Sequence, residues 1–130
     1  VNKAQRVSVY YDFLKKEGYL PELDRDGDIV FKIEGRTYLV ILDENDEPFF
    51  RLVFPNFWRI ESEAERKQVE HAAMVATAST KVAKIFPVGD NTWGTIEMFA
   101  ATPEAVLPVF KRSLSALNTA VMKFVEEMRR

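Results

Sequence analysis

The chain contains no cysteine and a single histidine, His71. The first absence excludes disulfides, thiolate metal sites and cysteine nucleophiles, and the second excludes any site that needs two imidazoles from one chain. Glycine is scarce: Gly18, Gly27, Gly35, Gly89 and Gly94 are all there is. None falls in a G-x-G-x-x-G or Walker arrangement, so nucleotide binding has no support and no cofactor is expected. No G-x-S-x-G elbow exposes a serine. Long hydrophobic runs are also missing. The longest wholly apolar stretches are about five residues, such as Tyr38 to Leu42, against the ~20 that a bilayer span requires. No charged-then-apolar leader opens the chain, which makes a cytoplasmic location and no membrane partner the expectation. Basic residues gather only in pairs, Lys15-Lys16, Arg66-Lys67, Lys111-Arg112 and Arg129-Arg130. Nucleic acid wants a continuous basic stripe, so it is not an expected partner.

What is present suits one ordinary globular domain spanning 1–130. The 130 residues are 47% hydrophobic and 29% charged, enough apolar material for a core. Formal net charge is −2, unevenly spread. Residues 1–65 carry 9 basic and 14 acidic side chains, a net of −5, and residues 66–130 carry 9 basic and 6 acidic, a net of +3. A dipolar surface of this kind suits self-association or a protein partner.

Hydrophobic periodicity divides the chain into elements. Ala4, Val7, Tyr11 and Leu14 fall at helical spacing and predict a helix over 4–17, stopped by Gly18. Tyr19 to Leu23 reads as an edge strand or irregular piece, because Pro21 lacks the donor a central strand needs. Asp26-Gly27 is a two-residue hairpin signal, and Gly35-Arg36 fits a turn with glycine at its first central position. Between them Ile29, Phe31 and Ile33 alternate with Val30, Lys32 and Glu34. Tyr38 to Leu42 is apolar on both faces and is expected to be a well-covered central strand. Asp43 to Glu47 is a polar turn, and Phe49 to Phe54 is the next strand, with Phe50, Leu52 and Phe54 opposite Phe49, Arg51 and Val53. Ser62 and Glu65 form a capping box that opens a helix to about Ser79, with Val69, Ala72, Ala73, Ala76 and Thr80 as its buried stripe. Lys81 to Val88 and Trp93 to Ala101 read as a hairpin across Gly89 to Thr92. Thr102 and Pro103 begin a last helix, with a kink or break expected near Leu107 because Pro108 interrupts its pattern. The order is helix, three or four strands, helix, two strands, helix: an α+β class with an antiparallel sheet flanked by helices.

The run Glu17-Gly18-Tyr19, then Asp26 to Lys32, Glu34-Gly35 and Tyr38, together with the Phe49-to-Pro55 strand, the alanine-rich helix and the Lys81-to-Phe86 strand, resembles the YbjN-like family of bacterial proteins. That family is described as sensory transduction regulators. Its fold is similar to the class I type III secretion chaperones, α+β homodimers that hold an extended segment of a secreted client. The similarity spans roughly residues 5–128 and rests on turn glycines, strand hydrophobics and a helix cap, which report fold rather than chemistry. It implies a bacterial, homodimeric, non-enzymatic protein-binding role and supplies no catalytic motif.

The candidate chemistry is thin. Asp24, Asp26 and Asp28 around Gly27 resemble the start of a calcium loop, but glycine is fourth rather than sixth and the twelfth residue is Gly35, so turn chemistry accounts for them. Asp43, Glu44, Asp46 and Glu47 form the densest acidic cluster and read as a solvated loop tip. His71 has no orienting partner or nucleophile in sight. Glu97 shares a strand face with Trp93, Thr95 and Phe99; it is either a carboxyl of raised pKa or the cross-strand partner of Lys84, and the pairing is the simpler reading. Phe57, Trp58 and Arg59 follow a strand-ending proline. Their rings either close over the core or help form an interface, where Trp, Phe and Arg are enriched. The expectation is therefore a homodimer that takes a protein or peptide client, with Phe57, Trp58, Arg59 and Trp93 as its partner-binding residues and no catalytic or metal site. Two alternatives stand beside it. One is a small-molecule sensor with a pocket between sheet and helices lined by Trp93, Phe99 and Phe57. The other is an enzyme using carboxylates with Lys84 or Lys81.

Overall fold

The computed structural model describes all 130 residues. Helix α1 runs Lys3–Lys16. Asn2 caps it, its side-chain oxygen accepting from Gln5 N while its own backbone N–H donates to Gln5 Oε1, both at 2.9 Å. Gly18 (φ +83°) turns the chain out of the helix. Six strands follow in two groups: β1 (Glu22–Leu23), β2 (Ile29–Ile33), β3 (Arg36–Ile41) and β4 (Phe49–Phe54), then β5 (Ala83–Val88) and β6 (Asn91–Phe99). Helix α2 (Glu63–Ala78) lies between the groups, with Ser62 Oγ accepting from Glu65 N, and α3 (Phe110–Met128) closes the chain. The class is α+β: one antiparallel sheet in the order β1-β2-β3-β4-β6-β5, with three helices.

The strand register assigns every side chain to a face. Ile29 and Phe31 pair with Val40 and Tyr38, Val40 with Leu52, Leu52 with Ile96, and Ile96 with Ala83. These residues are fully or nearly fully buried. They share their core with Tyr10 and Leu14 of α1, Val69, Ala72 and Ala76 of α2, and Phe110, Leu117, Val121 and Phe124 of α3. Phe110 lies within about 6 Å, ring centre to ring centre, of Phe13, Phe31 and Phe50, tying α1, the sheet and α3 together. All three helices therefore pack on the same side of the sheet.

Several expectations shift by a residue or two. The β2–β3 turn has Glu34 (φ +49°) and Gly35 (φ +80°) at its centre, because Ile33 pairs with Arg36. Both are left-handed, the mirror-image turn whose twist matches the strands it joins, so the expected Gly35-Arg36 turn is one residue late. Asp26-Gly27 does not form a two-residue hairpin. Leu23 pairs with Ile29, and the residues between make a longer loop in which Asp24 Oδ1 accepts from Asp26 N at 2.9 Å and Asp28 N at 3.0 Å. Strand β6 starts at Asn91, not Trp93, because the β5–β6 turn needs only Gly89 and Asp90 between Val88 and its partner Asn91. Thr102 caps a short 3₁₀ turn, Pro103–Ala105, rather than the last helix. A second turn, Leu107–Val109, holds Pro108, and α3 begins only after it, the break that proline imposes. Strand β3 is central but covered on one face only: Tyr38 and Val40 are buried, while Leu39 and Ile41 on the other side are half-buried.

Candidate functional site

With every helix on one side, the opposite face of the sheet has no layer over it. Its side chains run in cross-strand rows. Val30, Leu39, Val53, Thr95 and Lys84 form one row, Ile41, Arg51 and Glu97 the next, and Phe49 and Phe99 a third. Phe86 and Trp93 pair beyond Lys84 and Thr95. Val53 and Thr95 are wholly shielded by their neighbours, whereas Phe99 is 76% exposed. The Phe49 and Phe99 rings sit 5.9 Å apart, and the Arg51 guanidinium lies 5.2 Å above Phe49. Aromatic rings left partly in water around a small charged centre make this an apolar patch on an otherwise uncovered face.

The charged centre is gathered on Glu97, while the buried Arg51 Nε has no hydrogen-bond partner. Glu97 Oε1 accepts from Lys84 Nζ at 2.9 Å, its Oε2 accepts from Thr95 Oγ1 at 2.9 Å, and Arg51 Nε lies 3.8 Å away. Burial works to raise the Glu97 pKa, but the hydrogen bonds from Lys84 and Thr95 and the charges of Lys84 and Arg51 outweigh it, so its carboxyl sits below the ordinary value. This is the cross-strand pair, and it holds Glu97 as an ionised acceptor with no proton to donate.

The edges of the sheet are closed. Along β5 the Ile85 N–H donates to Thr77 Oγ1 at 2.9 Å, and the Thr77 hydroxyl donates in turn to the Ile85 carbonyl at 3.4 Å. Pro87, two residues on, has no N–H to offer. At the far side β1 is two residues long and follows Pro21. Short, proline-marked or helix-covered edges resist the addition of another strand.

The residues singled out in the sequence separate. Phe57 stacks on Phe54 (5.4 Å, 3° between planes) and meets Phe124 edge-on at 5.4 Å. Trp58 also meets Phe124 edge-on, at 5.7 Å, and its Nε1 donates to Glu65 Oε2 at 3.3 Å. Both rings are half-buried and pack against the core on the helix side of the domain, where the chain crosses from β4 to α2. Arg59 points to solvent and pairs with Glu61 at 3.5 Å. Trp93 is on the bare face, its Nε1 bonded to Asn56 Oδ1 at 2.9 Å. The pocket expected from Trp93, Phe99 and Phe57 does not assemble, because the sheet itself separates the first two from the third.

Other candidates resolve locally. The Asp24, Asp26 and Asp28 carboxylates lie within 4.8 Å of one another. Asp24 is engaged by backbone N–H groups, and the buried Asp28 accepts from Leu42 N at 3.1 Å and pairs with Lys3 Nζ at 3.2 Å, so an ammonium stands against this group. The Asp43–Glu47 turn is held through its backbone. Buried Arg6 donates to the Asp43 carbonyl at 2.6 Å and the Glu47 carbonyl at 3.2 Å. His71 is exposed on α2, 3.5 Å from Glu127 of α3, with no nucleophile beside it. Phe49 and Arg51 are the residues that sequence reasoning passed over, and Phe99, expected to line a sensor pocket, lies beside them instead. Strand alternation puts them on one face, but nothing local says that the helices leave that face empty.

A scan against protein-family models finds no match for this chain, and a search of the curated proteins finds none either.

Proposed function

We propose that this chain is a non-enzymatic protein-binding module whose docking surface is the bare face of the sheet, and that a second copy of the chain occupies it. The observation that carries the reading is the aromatic row of Phe49 and Phe99 beside the Arg51–Glu97–Lys84 centre on a face that no helix covers. The closed edges favour face-to-face packing over strand addition as the mode of association. Two antiparallel sheets can stack about 10 Å apart with interleaved side chains. A two-fold axis through the face would set each copy's aromatic row against the same surface of the other, the isologous contact of a homodimer. The face measures roughly 20 Å by 20 Å from strand spacing and rise. At roughly 400 Å² this is about half of the ~800 Å² per partner of a standard interface, which places the self-association among the weak ones. Glu97, held ionised among hydrogen-bond donors, supports a binding role over acid catalysis. The resemblance to the YbjN-like family and the secretion chaperones is in keeping with a regulator or chaperone-like protein that holds a protein or peptide client, and with action in the cytoplasm.

Sedimentation velocity across a concentration series tests this. The expected result is a monomer–dimer equilibrium that Phe99→Asp shifts to monomer with little change in melting temperature, since the ring is already exposed. A monomer at every concentration, or a dimer indifferent to Phe99→Asp, would overturn it.

A further inference from the structure

On the helix side, away from the bare face, a groove of about 590 Å³ opens between the β2–β3 hairpin and the C-terminal half of α3. Asn118, Val121, Met122, Val125 and Arg129 form its helical wall, spaced so that they share one side of α3. Ile33, Glu34, Arg36 and Tyr38 form the opposite wall. Its volume is that of a small-molecule site.

The polar groups here are arranged in one sense. Asn118 Oδ1 accepts from the Tyr38 hydroxyl at 2.7 Å and from Arg36 Nη1 at 3.1 Å. With its oxygen doubly engaged, Asn118 is locked, and its amide nitrogen donates to no protein group. Tyr38 is 1% exposed, so the anchor of this arrangement is part of the core. Arg36 lies with its guanidinium 5.1 Å above the Phe54 ring and makes no ion pair. Arg129, exposed where α3 ends, makes none either. Two guanidiniums against the Glu34 carboxylate leave one net positive charge. The groove thus offers surplus donors and a monovalent positive balance at a wall whose remaining surface, Ile33, Val121, Met122 and Val125, is aliphatic. Met122 is 56% exposed, an apolar side chain held in water at the groove's rim.

We propose that this groove binds an aliphatic monocarboxylate, its carboxylate taken by Arg36, Arg129 and the Asn118 amide and its hydrocarbon tail laid along Val121, Met122 and Val125. Arginine's planar fork suits a carboxylate, and a flexible chain rather than a flat ring fits walls that are aliphatic. The site is separate from the docking face, so it stands or falls independently of the dimer.

Titration of isotope-labelled protein with decanoate, followed by NMR, tests the proposal. Saturable shifts are expected at the Asn118 side-chain amide and at the Val121 and Val125 methyls. Hexanoate should bind more weakly, by about two- to fourfold for each methylene removed. Decanol, which keeps the tail and loses the charge, should bind at least about tenfold more weakly, as should decanoate to Arg36→Gln and to Arg129→Gln. Both arginines are exposed, so neither variant should unfold, and unchanged backbone spectra will verify that. No saturable shift by about 5 mM decanoate, where even millimolar affinity would be evident, overturns the proposal. So does equal binding of decanol, unchanged affinity in both variants, or a shift map centred on Phe49 and Phe99.

Discussion

Gly94 has an ordinary strand conformation, yet even a methyl group is crowded there. It lies on β6 facing the helices, directly beneath α3. A methyl group placed on its α-carbon would stand 2.9 Å from Leu117 Cδ1, 3.1 Å from Ile85 Cδ1 and 3.5 Å from Val121 Cγ2. Leu117 and Ile85 are both buried, so neither can swing into solvent to relieve the contact. Overpacking of this kind costs typically 1–3 kcal/mol. Alanine also restricts the unfolded chain and returns about 0.4–1 kcal/mol. Gly94→Ala should therefore destabilise by about 1–2 kcal/mol, and Gly94→Val, which drives two more carbons into the same gap, by more than ~3 kcal/mol. For a chain of this length 1 kcal/mol corresponds to roughly 4 °C in melting temperature. Urea unfolding followed by tryptophan fluorescence measures the loss, with an unchanged slope certifying that only stability moved. The sharper test is a cycle with Leu117→Ala. That substitution alone leaves a cavity and costs about 2–5 kcal/mol. The methyl group introduced by Gly94→Ala would grow into that cavity, so the double variant should be at least about 1 kcal/mol more stable than additivity predicts. A neutral Gly94→Ala, or strict additivity in the cycle, refutes the claim that α3 rests on a glycine-sized gap in the sheet.

Further outcomes follow from the other contacts. Trp58→Ala removes the edge-on contact with Phe124 and the bond to Glu65. It should cost about 2–3 kcal/mol, below the range for a fully buried ring, while leaving the oligomeric state alone; weakened association at full stability would return Trp58 to an interface. Arg6→Leu frees the Asp43 and Glu47 carbonyls and should cost about 2–3 kcal/mol, with hydrogen exchange rising selectively over residues 43–49. Uniform loss of protection across the domain would show that Arg6 is not specific to that turn. Glu97 has a folded pKa below its ordinary 4.5. Its contribution is present above that unfolded value and is lost as pH falls through the lower folded one. Glu97→Gln should therefore flatten the acid limb of stability against pH, and an identical limb in both proteins would remove Glu97 as its source.

The elements were legible because their signals are local. The Ser62 cap, Gly18 as a helix stop, the alternation in β2 and β4, and Pro108 as an interruption each act within a few residues. Their placement survived in the structure to within a residue or two. Turn details were less legible. The mirror-image turn at Glu34-Gly35 admits a non-glycine residue with positive φ that spacing did not expose. The fate of Phe57 and Trp58 was undecidable locally, because aromatic rings after a proline pack equally well against a core or a partner. Their contact with Phe124, far downstream on the last helix, exists only in the folded chain. The groove was invisible for the same reason, since Arg36 and Tyr38 meet Asn118 only when the hairpin and the last helix come together.

Periodicity, capping and turn residues decided by themselves that this chain makes helices around an antiparallel sheet, because each depends on backbone geometry and on which side chains recur at one spacing. Which face of that sheet the helices would cover was a tertiary decision. Strand alternation gives both faces apolar residues, and only the packing of Phe110, Leu117 and Phe124 against one of them leaves Phe49, Arg51, Glu97 and Phe99 outside. The bare face is what remains when three helices have buried all they can reach.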